Sequence, residues 1–171
     1  MSTAPAIQHT RLPQGNGVLE VVTLLPRPVD EVFPFFADAG NLQRITPPEL
    51  SFEVLTPLPV SMELGTLIEY RLRLFGVPFR WRTRIQLWDP PHRFLDEQID
   101  GPYREWIHLH EFEPTLEGTR MLDRVRYRLP LHPFSGPVTA FVRRRLDRIF
   151  RFRAGAILDA LGVSDAGRTG P

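Results

Sequence analysis

VPFRWRTRIQLWD, Val77–Asp89, is the stretch that decides the fold. Phe79, Trp81, Thr83, Ile85 and Leu87 alternate with Arg80, Arg82, Arg84 and Gln86. Successive side chains on a strand point to opposite faces, so this period of two makes one face buried and the other wet. A sheet with one wet face is antiparallel in most folds. The neighbouring segments extend the same pattern. Residues 66–74 pair with this strand across a turn at Phe75 and Gly76, and Asp89-Pro90-Pro91 turns the chain into a strand over residues 93–100. Gly101-Pro102 leads into residues 103–114, and a turn over 116–119 leads into 120–131. In that last strand Met121, Asp123, Val125, Tyr127 and Leu129 share one face, while Arg120, Arg124, Arg126 and Arg128 share the other.

Toward the N-terminus, residues 51–56 and the β-branched run VLEVVTLL (18–25) are further strands. Between them, Pro28 followed by Asp30 and Glu31 opens a helix whose apolar stripe is Val29, Val32, Phe33 and Phe36. Pro34 lies inside that stripe and is expected to kink or shorten the helix. Asp38 is expected to cap a second short helix running to Ile45, ended by Pro47-Pro48. After the Pro/Gly-rich link LHPFSGP, a long helix is expected over 137–161. Val142, Leu146, Ile149, Phe150, Ala154, Ile157 and Leu161 form its apolar stripe, and Gly162 is placed to end it. The expectation is an α+β fold in which a curved antiparallel sheet of about six to seven strands wraps a long C-terminal helix.

With 171 residues the chain has the length of one domain with a sizeable core. The domain is expected over 17–162, with flexible tails over 1–16 and 163–171. The sequence holds no Cys, which excludes disulfides and thiolate chemistry, and no Lys, which excludes Schiff-base chemistry. A net charge of +1 gives no general attraction to nucleic acid. FVRRRLDRIFRFR reads as an amphipathic helix with a solvated arginine face. The Arg rows of the sheet read as a solvated outer face, paired across strands with Glu69, Glu97, Glu105 and Glu111. No apolar run approaches the ~18–20 residues of a membrane-spanning helix, and the N-terminus has no apolar signal region, so a cytoplasmic location is expected.

Chemistry-bearing residues concentrate in GPYREWIHLHEF (101–112). Alternation puts Trp106, His108, His110 and Phe112 on one face. Counting across the turns places Asp96 opposite or diagonal to His108, Gln98 near Trp106, Asp123 near His110 and Tyr127 near His108. Tyr70, Trp81, Trp106, Phe112 and Met121 are the expected walls. The same groups suit a self-satisfied polar network, a small-molecule pocket, or an acid–base site in which an Asp-held His moves a proton and Tyr127 donates to an oxygen. His-x-His with an Asp also offers N, N and O ligands. Two histidines that each have a carboxylate partner are a weak metal signal, and no metal or other cofactor is expected. His9, His92 and His132 are read as surface residues. Residues 57–65, with Met62, and residues 131–137 are expected to gate the cavity.

The stretches FFADAGNLQRITPPEL, GTLIEYRL with the Trp81 strand, FLDEQIDGPYREWIHLHEF and GTRMLDRVRYRLP resemble the START-like, helix-grip superfamily known as SRPBCC. The likeness is closest to a bacterial group of ligand-binding or polyketide cyclase/dehydrase-like proteins. It covers residues 18–161 and implies a cavity between sheet and helix. The fold hosts carriers, lipid binders, hormone receptors and cyclases, so it does not select a function by itself. The expected role is binding of a hydrophobic small molecule, lipid- or polyketide-like, by Tyr70, Trp81, Gln98, Trp106, His108, His110, Phe112, Met121 and Tyr127. The alternative is a cyclase or dehydratase in which His108, His110, Asp96, Asp123 and Tyr127 do acid–base work.

Overall fold

Alternating burial along the strands sets the architecture. In the strand Val77–Asp89, Trp81, Thr83 and Ile85 are buried while Arg80, Arg82 and Arg84 are exposed. A computed structural model describes residues 4–12, 16–74, 76–130 and 136–163. In chain order the strands are β1 (Ala6–Arg11), β2 (Asn16–Leu25), β3 (Glu53–Val54), β4 (Leu67–Leu74), β5 (Val77–Asp89), β6 (Arg93–Asp100), β7 (Glu105–Thr115) and β8 (Gly118–Arg128). The helices are α1 (Val29–Ala37) and α2 (Gly136–Ala160). The strands make one eight-stranded sheet in the order β1-β2-β8-β7-β6-β5-β4-β3, every neighbouring pair antiparallel.

Several expectations change. Ala6–Arg11, expected within an N-terminal tail, form edge strand β1 against β2, from Ala6↔Val22 to Arg11↔Gly17. Polar residues alternate there with few apolar ones, so the pairing leaves only a weak hydrophobic signal. His9 accordingly leaves the tail and meets Asp147 of α2, Nε2 to Oδ1 at 2.6 Å. Pro34 does not end α1, which continues to Ala37. The helix is so short that the proline removes a single bond, to the carbonyl of Asp30. Asp38 caps as expected, accepting from the Gly40 N–H at 2.8 Å, but it caps a single 3-10 turn, Ala39–Asn41. A second such turn, Pro48–Leu50, follows Pro47. The expected C-terminal tail beyond Val163, His132 and most of the expected gating link over 131–137 lie outside the described residues.

The outer face is laced by ion pairs: Arg82–Glu69 at 2.6 Å, Arg124–Glu20 at 2.6 Å and Arg126–Glu105 at 2.7 Å. Such exposed pairs add only about 0.2–1 kcal/mol each, so the inner face holds the fold. There the buried residues fall into three groups. Leu25, Val32, Phe33, Phe36, Phe94, Phe112, Met121 and Ile157 pack at one end. Leu19, Val21, Val125, Tyr127, Val142, Leu146 and Phe150 pack where α2 crosses β2 and β8. Ala39, Ile68, Tyr70, Leu72 and Trp81 cover β4 and β5. Each large side chain fully buried in these groups contributes roughly 1.5–3 kcal/mol relative to exposure. Helix α2 supplies buried residues to the first two groups only, which leaves β4 and β5 covered by the segment after α1 and not by α2.

Candidate functional site

Where the three groups do not meet, a cavity of about 180 Å³ remains. Ile68, Tyr70, Leu72 and Trp81 wall it on the sheet, Leu146, Ile149 and Phe150 on α2, and Phe36, Leu42 and Ile45 on the α1 segment. Met62, from the segment expected to gate it, also reaches the lining. Its polar end is built on β6 and β7 by Asp96, His108 and His110, with Arg153 of α2.

The register brings these groups together. Asp96 pairs across β6–β7 with His108, and His110 pairs across β7–β8 with Asp123. The hydrogen bonds run diagonally to that register. His108 Nε2 lies 2.8 Å from Asp123 Oδ1, and His110 Nε2 lies 3.1 Å from Asp96 Oδ2. The remaining ring nitrogens complete a ring of close approaches. His108 Nδ1 is 3.8 Å from Asp96 Oδ2, and His110 Nδ1 is 2.9 Å from Asp123 Oδ1 without hydrogen-bond geometry. The two imidazoles lie 3.8 Å apart between centroids, and Phe94 stacks on His110 at 4.2 Å. Arg153 Nε stands 4.0 Å from Asp123 Oδ2, with its guanidinium over the Phe36 ring.

Burial makes this cluster electrostatically demanding, because His108, His110 and Asp123 are each 6 % exposed or less. Burial and the neighbouring His110 lower the pKa of His108, outweighing its bonds to Asp123. For His110 burial acts downward too, but the Asp123 and Asp96 carboxylates beside its two nitrogens prevail and its pKa is raised. Burial works to raise Asp123, yet the Arg153 charge and both imidazoles hold its carboxyl far below the ordinary range. Tyr70 and Tyr103, also on the lining, are pushed up by burial and are neutral donors at any physiological pH. Among the described residues, Asp96, His108 and His110 each offer one metal-ligand atom within 4.8 Å of the others.

Of the residues expected from the sequence, Tyr70, Trp81, Trp106, His108, His110 and Asp96 line the cavity. Asp123 sits behind the histidines. Gln98, Phe112, Met121 and Tyr127 are not among the lining residues. Gln98 turns to the loop and donates from Nε2 to the Tyr103 carbonyl at 2.7 Å. Phe112 and Met121 pack in the core beside α1. Tyr127 pairs with Trp106, not His108, and packs with Leu19 and Leu146 under α2. The expected and observed partners of Tyr127 are neighbours on one face of β7, and the register that sets Asp123 against His110 also sets Tyr127 against Trp106. Sequence reading missed Arg153, Tyr103 and Thr83, which also line the cavity. Arg153 carried a usable signal, since it falls on the apolar stripe of α2 three residues after Phe150 and seven after Leu146.

No curated protein matches the chain. Among solved structures, TTHA0849 from Thermus thermophilus is 20 % identical, covers 86 % of this chain and 99 % of its own, and superposes with a TM-score of 0.69. Ms6760 from Mycobacterium smegmatis is 16 % identical over 95 % of this chain and 99 % of its own, with a TM-score of 0.67. Ara h 8.0201 is 16 % identical over 85 % and 99 %, with a TM-score of 0.61. At these identities the likeness is one of fold, the START-like helix-grip. The family model described as polyketide cyclase / dehydrase and lipid transport matches residues 25–153, from the end of β2 to Arg153 itself, and the chain belongs to that family.

Proposed function

We propose that the protein binds a small, largely apolar and planar molecule in the cavity between sheet and α2. The observation that carries this reading is a cavity of about 180 Å³ whose walls are aromatic and aliphatic and whose charged groups converge at one end. That distribution is the usual anatomy of a small-molecule site. The volume limits the occupant. A cavity of about 150 Å³ takes up one benzene ring, whereas drug-sized sites span about 300–1,000 Å³. One or two fused rings suit the cavity in this conformation, and a longer lipid or polyketide chain requires the 57–65 segment at Met62 to move.

Trp81 and Trp106 both line the cavity, so occupancy has an intrinsic reporter. Titration with 2-naphthol, followed by tryptophan fluorescence, is expected to give saturable one-to-one binding that the Trp106→Phe variant reports with a smaller signal. No saturable change up to the solubility of the probe overturns the reading.

A second reading is acid–base turnover of such a ligand, favoured by two oriented imidazoles at the cavity end, hydrogen-bonded to carboxylates at 2.8 and 3.1 Å. It proceeds without Tyr127. His108→Ala distinguishes the two. A binding role changes affinity only moderately, whereas a cyclase or dehydratase loses turnover by orders of magnitude.

A further inference from the structure

The polar end of the cavity has a feature that neither reading uses. Both ring nitrogens of both histidines approach a carboxylate oxygen, at 2.8, 3.8, 3.1 and 2.9 Å. A neutral imidazole has one N–H, so two of them supply two donors for these four approaches. With both rings neutral, side chains alone leave nitrogen lone pairs facing carboxylate oxygens in a buried place. Either a second proton on His110 or a metal cation between the groups removes that conflict, and metal titration separates the two.

We propose that Asp96, His108 and His110 form a binding site for one divalent transition-metal ion of the zinc class at the polar end of the cavity. The ligand atoms are His108 Nδ1, His110 Nε2 and Asp96 Oδ2. The carboxylate oxygen lies 3.8 and 3.1 Å from the two nitrogens. Ligands at about 2.0–2.1 Å from a tetrahedral ion stand roughly 3.3 Å apart, and the three ligand atoms lie within 4.8 Å of one another, so closure draws the side chains inward around the ion. Two imidazoles and one carboxylate form a donor set suited to zinc or ferrous iron. All three residues line the cavity, so the fourth coordination position opens toward its occupant.

The surroundings are those of a supported metal site. Asp123 Oδ1 faces the other nitrogen of each ring, at 2.8 Å from His108 Nε2 and 2.9 Å from His110 Nδ1. A carboxylate hydrogen-bonded behind a ligating histidine, as Asp123 is behind His108, fixes its tautomer and ring orientation. The second oxygen of Asp123 faces Arg153 at 4.0 Å, which balances its charge without competing for the ligand atoms. His-x-His spacing is weak on the sequence alone. The register of β6, β7 and β8 adds the third ligand and the supporting carboxylate.

The test uses the full chain, stripped with a chelator and titrated with Co²⁺, then displaced with Zn²⁺. One ion per chain is expected, with the visible absorption of a four- or five-coordinate cobalt ion. Asp96→Asn and His110→Gln are expected to abolish binding, and Asp123→Asn to weaken it about 10–100-fold. His92→Ala, an exposed histidine elsewhere, is expected to leave it unchanged. Failure of the unmodified protein to bind either ion overturns the proposal, as does undiminished binding in both ligand variants. NMR of the unmodified protein with Co²⁺ guards against misfolded variants. Paramagnetic shifts centred on the His108 and His110 rings support the site, and shifts centred elsewhere overturn it. None of these readouts depends on the cavity's organic ligand, so the two ideas fail separately.

Discussion

Asp123 is the residue on which the buried cluster turns. Its carboxylate faces His108, His110 and Arg153 at 2 % exposure. Removing one member of a buried charged set costs about 3–5 kcal/mol, because the partners remain buried without compensation. Asp123→Ala is therefore expected to lower the unfolding free energy, measured by urea titration, by about that amount. The isosteric Asp123→Asn, which keeps an acceptor oxygen, costs less. Gly118 is a second decisive position. It opens β8 at φ +135°, and a Cβ there would stand 2.2 Å from the Leu25 carbonyl oxygen. Gly118→Ala is expected to cost about 1–3 kcal/mol through forced backbone displacement between β8 and β2, read by calorimetry. That contact is invisible in the sequence, where Gly118 is only a turn residue beside Glu117.

At the scale of elements, β1 is an edge attachment. It pairs on one side only, with β2, and His9–Asp147 ties it by a side-chain hydrogen bond to α2. Both side chains keep some solvent contact, 15 % and 35 %, so the pair is worth under about 1 kcal/mol. Asp147→Ala is expected to leave global stability nearly unchanged while speeding amide exchange along Ala6–Arg11, because edge elements open locally. Little change in β1 exchange would show that the backbone ladder alone holds the strand. The longer elements were legible from their periods. Val77–Asp89 is a strand from its alternation alone, and α2 follows from its stripe to within a residue at each end. β1 and the segment after Asp38 were not legible. Short elements with mixed polarity owe their conformation to neighbours, not to their own pattern.

For the whole molecule, the cavity is a consequence of mismatch. A helix of 25 residues grips a sheet of eight strands, and three packing groups close around a space that none fills. A ligand that binds only the folded state stabilises it by mass action. The naphthol probe at a hundred times its dissociation constant is expected to add about 2.7 kcal/mol to unfolding. Thermal unfolding with and without the probe checks this, and an unchanged transition contradicts binding in the cavity.

By itself the sequence determined which side chains share a face. Strand alternation is local geometry, so Trp106, His108 and His110 on one side of β7, and Asp123 on the same side of β8, followed from the period of two. The helix-grip architecture followed from the same periods and from the order of elements. Tertiary structure decided distances across strands and between layers. The β7–β8 register set Tyr127 against Trp106 instead of His108, and so under α2. Gln98 left the pocket because bulges in the β5–β6 pairing and its bonds to Tyr103 redirect it. Arg153 entered because α2 lies across the inner face at an angle that only packing sets. Local patterns fix direction, but the shape of the space between layers depends on how volumes fit together.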